Sequence, residues 1–440
     1  MHRKPIVAIV GRPNVGKSTL FNKIAGARIS IVEDSPGVTR DRIYAECEWL
    51  THPFVLIDTG GIEPTSKDII LSQMRDQAQI AIDTADVIVF LTDGKSSYTA
   101  ADEEIAQMLR IAKKPVLLVL NKIDQYKQPA HYYDYYDLGL GEPLMISSVN
   151  MMGIGDLLDE VVSNFPEAEF LEENEDVIKI ALIGKPNAGK SSLVNRIIGE
   201  KRVIVSDIAG TTRDAIDTPF AYKDRNYVLI DTAGIRRRSR INDNIEKYSV
   251  LRAMTAVERA DVCFVIIDAQ EGITEQDKKV AGLAHDAGKP TVFVVNKWDL
   301  IEKDNHTFNE FTRSIREEFP FMQYAKVLFV SALTGQRINM LLETATEVYE
   351  NASLRISTGI LNDVINEAIA LNQVPSDKGK RLKILYATQV GVRPPEFVFV
   401  VNDKELAHFS YMRYLENQLR KNFNFDGTPI VFKVKERTEK

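Results

Sequence analysis

Short, nearly continuous apolar runs recur along the chain, and the stretches between them carry apolar residues every three or four positions. In the N-terminal part the runs are Ile6–Val10, Phe54–Ile57, Asp86–Leu91, Pro115–Leu120 and Pro143–Ile146. Farther on they are Ile178–Ile183, Tyr227–Ile230, Val262–Ile267, Thr291–Val295 and Val327–Val330. Runs without polar alternation predict strands covered on both faces, as in parallel sheets. The segments between them, such as Ser18–Ala25 and Asp277–Ala287, predict helices. This alternation predicts α/β layered domains that bind ligands at the carboxyl ends of their strands. From Ser353 the rhythm changes. Thr358–Leu371 has helical periodicity, Leu382–Val392 and Glu396–Val401 read as strands about the Arg393-Pro394-Pro395 turn, Leu406–Phe423 as a helix and Pro429–Val434 as a strand. The α-β-β-α-β order predicts a small α+β domain.

The rhythm recurs because the sequence itself does. Gly11-Arg-Pro-Asn-Val-Gly-Lys-Ser18 returns as Gly184-Lys-Pro-Asn-Ala-Gly-Lys-Ser191, and Asp58-Thr-Gly-Gly61 as Asp231-Thr-Ala-Gly234, each 173 positions on (184 − 11, 231 − 58). Asn121-Lys-Ile-Asp124 returns as Asn296-Lys-Trp-Asp299 after 175 (296 − 121). Motifs that hold register in this way mark a duplicated domain. The predicted organisation is a first domain over residues 1–165, a linker over 166–176, a second copy over 177–352 and a third unit over 353–440. The linker carries six acidic residues and no basic one, so self-repulsion should keep it solvated.

Composition narrows the class. With 44% hydrophobic and 27% charged residues, the 440-residue chain matches a globular protein. The 55 Lys+Arg against 62 Asp+Glu leave a net charge of −7, which excludes a protein that coats nucleic acid with its whole surface. The charge is uneven: from Ser353 onward 14 Lys+Arg face 10 Asp+Glu, giving +4 there and −11 elsewhere. Cys47 and Cys263 are too few for a disulfide framework and point to a reducing compartment. No apolar run nears the ~20 residues of a membrane helix, and no signal peptide is expected, since the first run ends at Gly11. A cytoplasmic monomer without a DNA or membrane partner is expected.

Gly-x-x-x-x-Gly-Lys-Ser between a strand and a helix is a phosphate-binding loop. Its glycines let backbone N–H groups curl round phosphate oxygens, and the helix N-terminus adds its dipole. The expected cradles are Gly11, Asn14, Val15, Gly16, Lys17, Ser18 and Thr19, and Gly184, Asn187, Ala188, Gly189, Lys190, Ser191 and Ser192. Lys17 and Lys190 should reach the β- and γ-phosphates, while the hydroxyls of Ser18 and Ser191 ligate Mg²⁺. Asp58 and Asp231 should hold the same ion through water, and Gly61 and Gly234 should offer a backbone N–H to the γ-phosphate. Thr39 and Thr212 are the switch hydroxyls expected to close over Mg²⁺; Thr211 competes but has no partner in the first copy. The expected catalytic groups are therefore Lys17, Thr39 and Gly61, with Lys190, Thr212 and Gly234.

Asn-Lys-x-Asp selects the base. Asp124 or Asp299 can accept two N–H bonds from guanine, whereas adenine would leave the carboxylate unpaired. Asn121, Lys122, Asn296 and Lys297 should frame this loop and stack along the ring. The backbone of Ser147 and Ser148, and of Ser331 and Ala332, should meet guanine O6. The expected ligand is GTP or GDP with Mg²⁺. Ile62 and Ile235 follow Asp-x-x-Gly, where an apolar side chain cannot orient water, so slow hydrolysis is expected.

Two such domains followed by a small α+β unit resemble, over essentially the full length, the Der/EngA family of bacterial double Era-like GTPases. The resemblance implies two TRAFAC-class, Ras-like P-loop G domains and a KH-like C-terminal domain. It also implies a role in assembly of the large (50S) ribosomal subunit, with that subunit and its rRNA as partners. In related GTPases the P-loop asparagine, here Asn14 and Asn187, is linked to K⁺ stimulation. Gly234-Ile-Arg-Arg-Arg-Ser-Arg240 is expected to contact RNA phosphate or a neighbouring domain. The C-terminal glycines (Gly359, Gly379, Gly391, Gly427) form no Gly-x-x-Gly loop for gripping RNA, so packing against the G domains is the alternative there. His131-Tyr-Tyr-Asp-Tyr-Tyr-Asp137 reads as a helix face beside the guanine loop or as a stacking surface for bases. An assembly scaffold with one slow domain, and a regulatory or RNA-modification GTPase, stay open as rival readings.

Overall fold

A computed structural model describes residues 4–26, 44–59, 70–112, 114–125, 128–166, 177–199, 203–205, 217–231, 246–302, 304, 306–372, 374, 376–377 and 380–437. The chain divides into two compact units, Met1–Glu173 and Asn174–Lys440.

The first unit holds strands β1 (Ile6–Val10), β2 (Tyr44–Trp49), β3 (His52–Asp58), β4 (Val87–Asp93), β5 (Val116–Asn121) and β6 (Leu144–Met145), ordered β2-β3-β1-β4-β5-β6. Its helices are α1 (Lys17–Gly26), α2 (Ile70–Thr84), α3 (Ala100–Ile111) and α4 (Ile154–Ser163). All five β1 residues are buried, which is why its apolar run has no polar alternation. β1 pairs in parallel with β3 on one side and β4 on the other. The strand order therefore reverses at β1, and a crevice opens at its carboxyl end, where the first glycine-rich loop begins. The predicted strands pair in parallel; at one edge β2, which no apolar run marks, runs antiparallel to β3. Its sequence, YAECEW, is mostly half-exposed or exposed and forms no apolar run.

The second unit repeats the order with one strand more. Strands β7 (Val177–Ile183), β8 (Val203–Val205), β9 (Thr218–Tyr222), β10 (Arg225–Ile230), β11 (Val262–Asp268), β12 (Thr291–Asn296) and β13 (Lys326–Phe329) lie in the order β8-β9-β10-β7-β11-β12-β13. Helices α5 (Lys190–Gly199), α6 (Glu246–Arg259), α7 (Glu275–Asp286), α8 (Thr307–Glu318) and α9 (Ile338–Ala352) cover it. In each copy the helix that follows the strand beside the first (β4 and β11) starts at a capping box. Thr99 pairs with Asp102 before α3, and Thr274 with Asp277 before α7, each side chain satisfying the other's backbone N–H.

The C-terminal part is α10 (Thr358–Leu371), the short β14 (Ser376–Asp377) and β15 (Lys380–Arg381), β16 (Ile384–Gly391), β17 (Glu396–Val401), α11 (Phe409–Asn422) and β18 (Val431–Glu436). Leu361, Ile365, Phe397, Phe399, Leu415 and Leu419 form its core between helices and sheet. It belongs to the same compact unit as the second copy, and its contacts realise the packing alternative drawn from the missing Gly-x-x-Gly. The Thr291 N–H donates to the Gly427 carbonyl at 2.8 Å, and the Gly427 N–H to the Tyr324 carbonyl at 2.8 Å. The Thr428 hydroxyl donates to the Val348 carbonyl at 3.2 Å, and the Arg393 guanidinium lies over the Tyr349 ring. Gly427 is required there, since its φ is +76° and a Cβ would fall 2.2 Å from Val348 Cγ1. Thr291 opens β12 and Asn296 closes it. The junction therefore lies about 17 Å from the strand's carboxyl end.

Candidate functional site

At the end of β1 the chain turns through Gly11 (φ 155°), Asn14 (φ 67°) and Gly16 (φ 99°) before α1 begins at Lys17. The second copy turns through Gly184 (φ 147°), Asn187 (φ 62°) and Gly189 (φ 93°) before α5 begins at Lys190. Asparagine tolerates the left-handed region better than most side chains. At Gly16 and Gly189 nothing larger than hydrogen fits. A Cβ would fall 2.4 Å from Asn121 Nδ2 in one copy and 2.1 Å from Asn296 Nδ2 in the other.

The two lysines are held alike. Lys17 Nζ donates to the carbonyls of Gly11 (2.7 Å) and Arg12 (3.0 Å), and Lys190 Nζ to those of Gly184 (2.7 Å) and Lys185 (2.5 Å). Burial pushes the Lys17 ammonium below the usual lysine range, and the Asp58 carboxylate partly restores it. A buried cation under this strain favours an incoming anion. Ser18 and Thr19, like Ser191 and Ser192, sit exposed in the first turn of their helices. Asp58 closes β3 and is buried, while Asp231 follows β10 in a left-handed conformation (φ 57°).

Asn121 and Asn296 have a task that the sequence reading did not assign them. Asn121 is 2% exposed; its Nδ2 donates to the Val15 carbonyl (2.8 Å), and its Oδ1 accepts from the Ser148 N–H and hydroxyl (2.9 Å each). Asn296 Nδ2 donates to the Ala188 carbonyl (3.0 Å), and its Oδ1 accepts from the Ala332 N–H (3.1 Å). Each asparagine thus clamps the phosphate loop to the loop expected at guanine O6. Lys122 Nζ donates to the Asn14 carbonyl (2.6 Å) and pairs with Asp93 (2.7 Å); Lys297 pairs with Asp268 in the same way. Burial would raise the Asp93 carboxyl, but the bonds from Lys122 and the Lys95 N–H outweigh it and hold it below the usual range. Asp124 accepts from the Ser147 hydroxyl (2.9 Å) and lies 3.2 Å from Lys95 Nζ. These contacts, the Ser147 bond foremost, lower its pKa and keep it an ionised acceptor. Asp299 sits in the 3₁₀ turn Trp298–Leu300, and Ser331 bridges to Gln336 as Ser147 does to Met152.

Asp93 and Asp268, and a second ion pair, escaped the sequence reading. Arg12 Nε lies 3.3 Å from the fully buried Asp102 carboxylate. In the other copy Lys185 Nζ lies 3.8 Å from Asp277 and 2.7 Å from Glu271. Each of these aspartates recurs 175 positions on (268 − 93, 277 − 102), so extending the repeat comparison past the known motifs would have found them. Thr39, Gly61, Ile62, Thr211, Thr212, Gly234, Ile235, the arginines at 236–238 and 240, and linker residues 167–176 lie outside the described residues. No helix among the described residues is long and apolar enough to cross a membrane.

A family model described as "50S ribosome-binding GTPase" matches residues 6–122 and again 179–297. A second, "KH-domain-like of EngA bacterial GTPase enzymes, C-terminal", matches residues 355–435. The chain is 63% identical over 435 residues to the GTPase Der of Alkaliphilus oremlandii (strain OhILAs). It is 62% identical over the same length to those of Alkaliphilus metalliredigens (strain QYMF) and Ruminiclostridium cellulolyticum (strain ATCC 35319). Each alignment covers 99% of this chain and 99% of the relative.

Proposed function

The chain belongs to the Der (EngA) family of GTPases, with two GTPase domains and a KH-like C-terminal domain, and on that footing we propose that it acts as a nucleotide switch in assembly of the large (50S) ribosomal subunit. The doubled clamp, in which the same asparagine ties the phosphate loop to the base loop in both domains, supports two nucleotide sites. The match to the family described as "50S ribosome-binding GTPase" supports the ribosomal target. Lys17 and Lys190 meet the β- and γ-phosphates, and Asp124 and Asp299 the guanine edge. The backbone around Ser147–Ser148 and Ser331–Ala332 borders guanine O6. Hydroxyl and carboxylate oxygens suit a hard dication, so Ser18 and Asp58, with Thr39, and Ser191 and Asp231, with Thr212, are the Mg²⁺ holders. When bound there, the ion would supply charge neutralisation on the phosphates. The chain's own lysines and loop N–H groups fix their position, and Gly61 and Gly234 add an N–H each.

K⁺ stimulation through Asn14 and Asn187 belongs to the same proposal, and turnover in Na⁺ and K⁺ should differ. So do the partition at 165, 176 and 352, a cytoplasmic monomer, and rRNA contact governed by the placement of the C-terminal domain. That domain sits on the amino-terminal edge of the second sheet, away from the phosphate loop. The described phosphate-loop residues of the second domain therefore do not touch it. Co-sedimentation of the full chain with purified subunits tests the proposal. Pelleting with the 50S subunit that depends on the nucleotide supplied is expected; equal pelleting with the 30S subunit, or none with either, overturns it. The scaffold reading predicts that Lys17→Ala or Lys190→Ala alone leaves turnover unchanged, and the switch reading that each lowers it.

A further inference from the structure

The tyrosine-rich segment after the first Asn-Lys-x-Asp motif is a 3₁₀ helix, Tyr132–Leu138, and its three-residue turn sorts the sequence into three edges. Tyr132, Tyr135 and Leu138 form the buried edge. Tyr135 donates its hydroxyl between the carbonyls of Asp93 (2.9 Å) and Ser96 (2.8 Å), and Tyr132 bonds the Pro143 carbonyl (3.0 Å), so the helix is firmly mounted. The second edge is aromatic. Tyr133 and Tyr136 are 69% and 43% exposed, with rings stacked at 6.4 Å and 19°. The third edge is acidic, with Asp134 and Asp137 both exposed and Asp134 oriented by the Ser97 hydroxyl at 3.0 Å. Residues 128–143 carry Asp134, Asp137 and Glu142 and no Lys or Arg. Arg110 lies against Gly139, the residue that follows the ridge.

Exposed aromatic faces alone could receive a nucleobase, but phosphates would then lie along a row of carboxylates, which repel them. A guanidinium meets both edges: its plane stacks on the tyrosine faces and its N–H fork pairs with the aspartates. We propose that this ridge docks an arginine-rich segment of a partner protein, beside but separate from the first domain's nucleotide site. Lysine, a compact and strongly hydrated charge, satisfies only the carboxylates and should bind less well. The second domain has TFNEFTRSIREE in α8 at the equivalent place in the chain, with no tyrosine–aspartate ridge, so the surface belongs to one copy alone.

The test is fluorescence anisotropy with the full chain and a short labelled peptide of alternating Arg and Gly, beside its Lys-Gly counterpart and an oligo-U RNA. The Arg-Gly peptide should bind best and weaken with salt. Tyr133→Ala/Tyr136→Ala and Asp134→Asn/Asp137→Asn should each weaken it by about tenfold. Tyr133→Phe/Tyr136→Phe, which keeps the ring faces, should bind as the parent does. Unchanged GDP affinity would show these exposed positions leave the fold intact. Absence of Arg-Gly binding, equal binding by the alanine variant, or tyrosine-dependent binding of oligo-U instead would each overturn the proposal.

Discussion

Asn121 and Asn296 occupy equivalent places in the two G domains and make unequal numbers of bonds. Both tie the phosphate loop to the base loop through backbone groups, but Asn121 also accepts from the Ser148 hydroxyl, where the second domain has Ala332. The ion pair behind the phosphate loop differs in the opposite sense. Arg12 has Asp102, whereas Lys185 has Asp277 and Glu271. Duplicated sites thus keep the contacts made to the backbone and let the side-chain supports drift. The two nucleotide sites should therefore be alike in what they bind and unlike in how easily they loosen.

The largest effect should come where the copies are most alike. Gly16→Ala or Gly189→Ala forces a Cβ into the clamping amide from a strained φ. Strain and a broken clamp together amount to about 3 kcal/mol or more, a loss of roughly a hundredfold in affinity. Titration with a fluorescent GDP should then count one tight site per chain instead of two for either variant; two tight sites would break the comparison. Next come Asn121→Ala and Asn296→Ala, which leave buried backbone groups unpaired at about 1–3 kcal/mol. Hydrogen exchange over residues 11–19 and 184–192 should rise in both, and more in the first, which loses three bonds against two.

A smaller effect should follow from Asp102→Asn and Asp277→Asn, which keep shape but remove the charge behind the residue whose carbonyl holds the P-loop lysine. A fall in kcat of about three- to tenfold, with KM little changed, is expected for Asp102→Asn in a Lys190→Ala background. For Asp277→Asn in a Lys17→Ala background Glu271 remains, so the fall should be less. Equal falls would remove the asymmetry.

Least tied to the nucleotide sites are the two thiols, one in each compact unit, which do not touch them. Burial pushes both Cys47 and Cys263 up to about 12 from 9.0. Neither should react with a disulfide reagent at pH 8 in the folded chain. Between pH 9 and about 12 the unfolded chain sheds these protons while the native chain keeps them, so stability is lost as pH rises through that window. On slow labelling Cys47 should react first, because it lies on the edge strand β2 and Cys263 on the central β11.

Ten apolar runs were legible as strands: eight lie inside their sheets, where burial on both faces leaves no polar alternation, and β6 and β13 are partly exposed edges that keep an apolar run. β2, β8 and β9 were not, since they are short or half-exposed strands on the antiparallel side of their sheets, where no long apolar run is needed. The motifs and their register were legible from spacing alone, whereas the ion pairs behind them were not. Arg12 and Asp102 stand ninety positions apart (102 − 12) and meet only because β4 lies beside β1.

The sequence by itself therefore determined the duplication, the apolar strands and the phosphate- and guanine-loop motifs. Periodicity and motif spacing are local records of burial and ligand geometry. Only the tertiary structure decided that Asn121 and Asn296 are clamps and that the C-terminal domain takes the amino-terminal edge of the second sheet. It also decided which tyrosines of the first domain turn outward. The first two depend on strand order, which brings distant residues within hydrogen-bond range, and the third on a 3₁₀ turn whose buried edge is mounted on the carbonyls of Asp93 and Ser96.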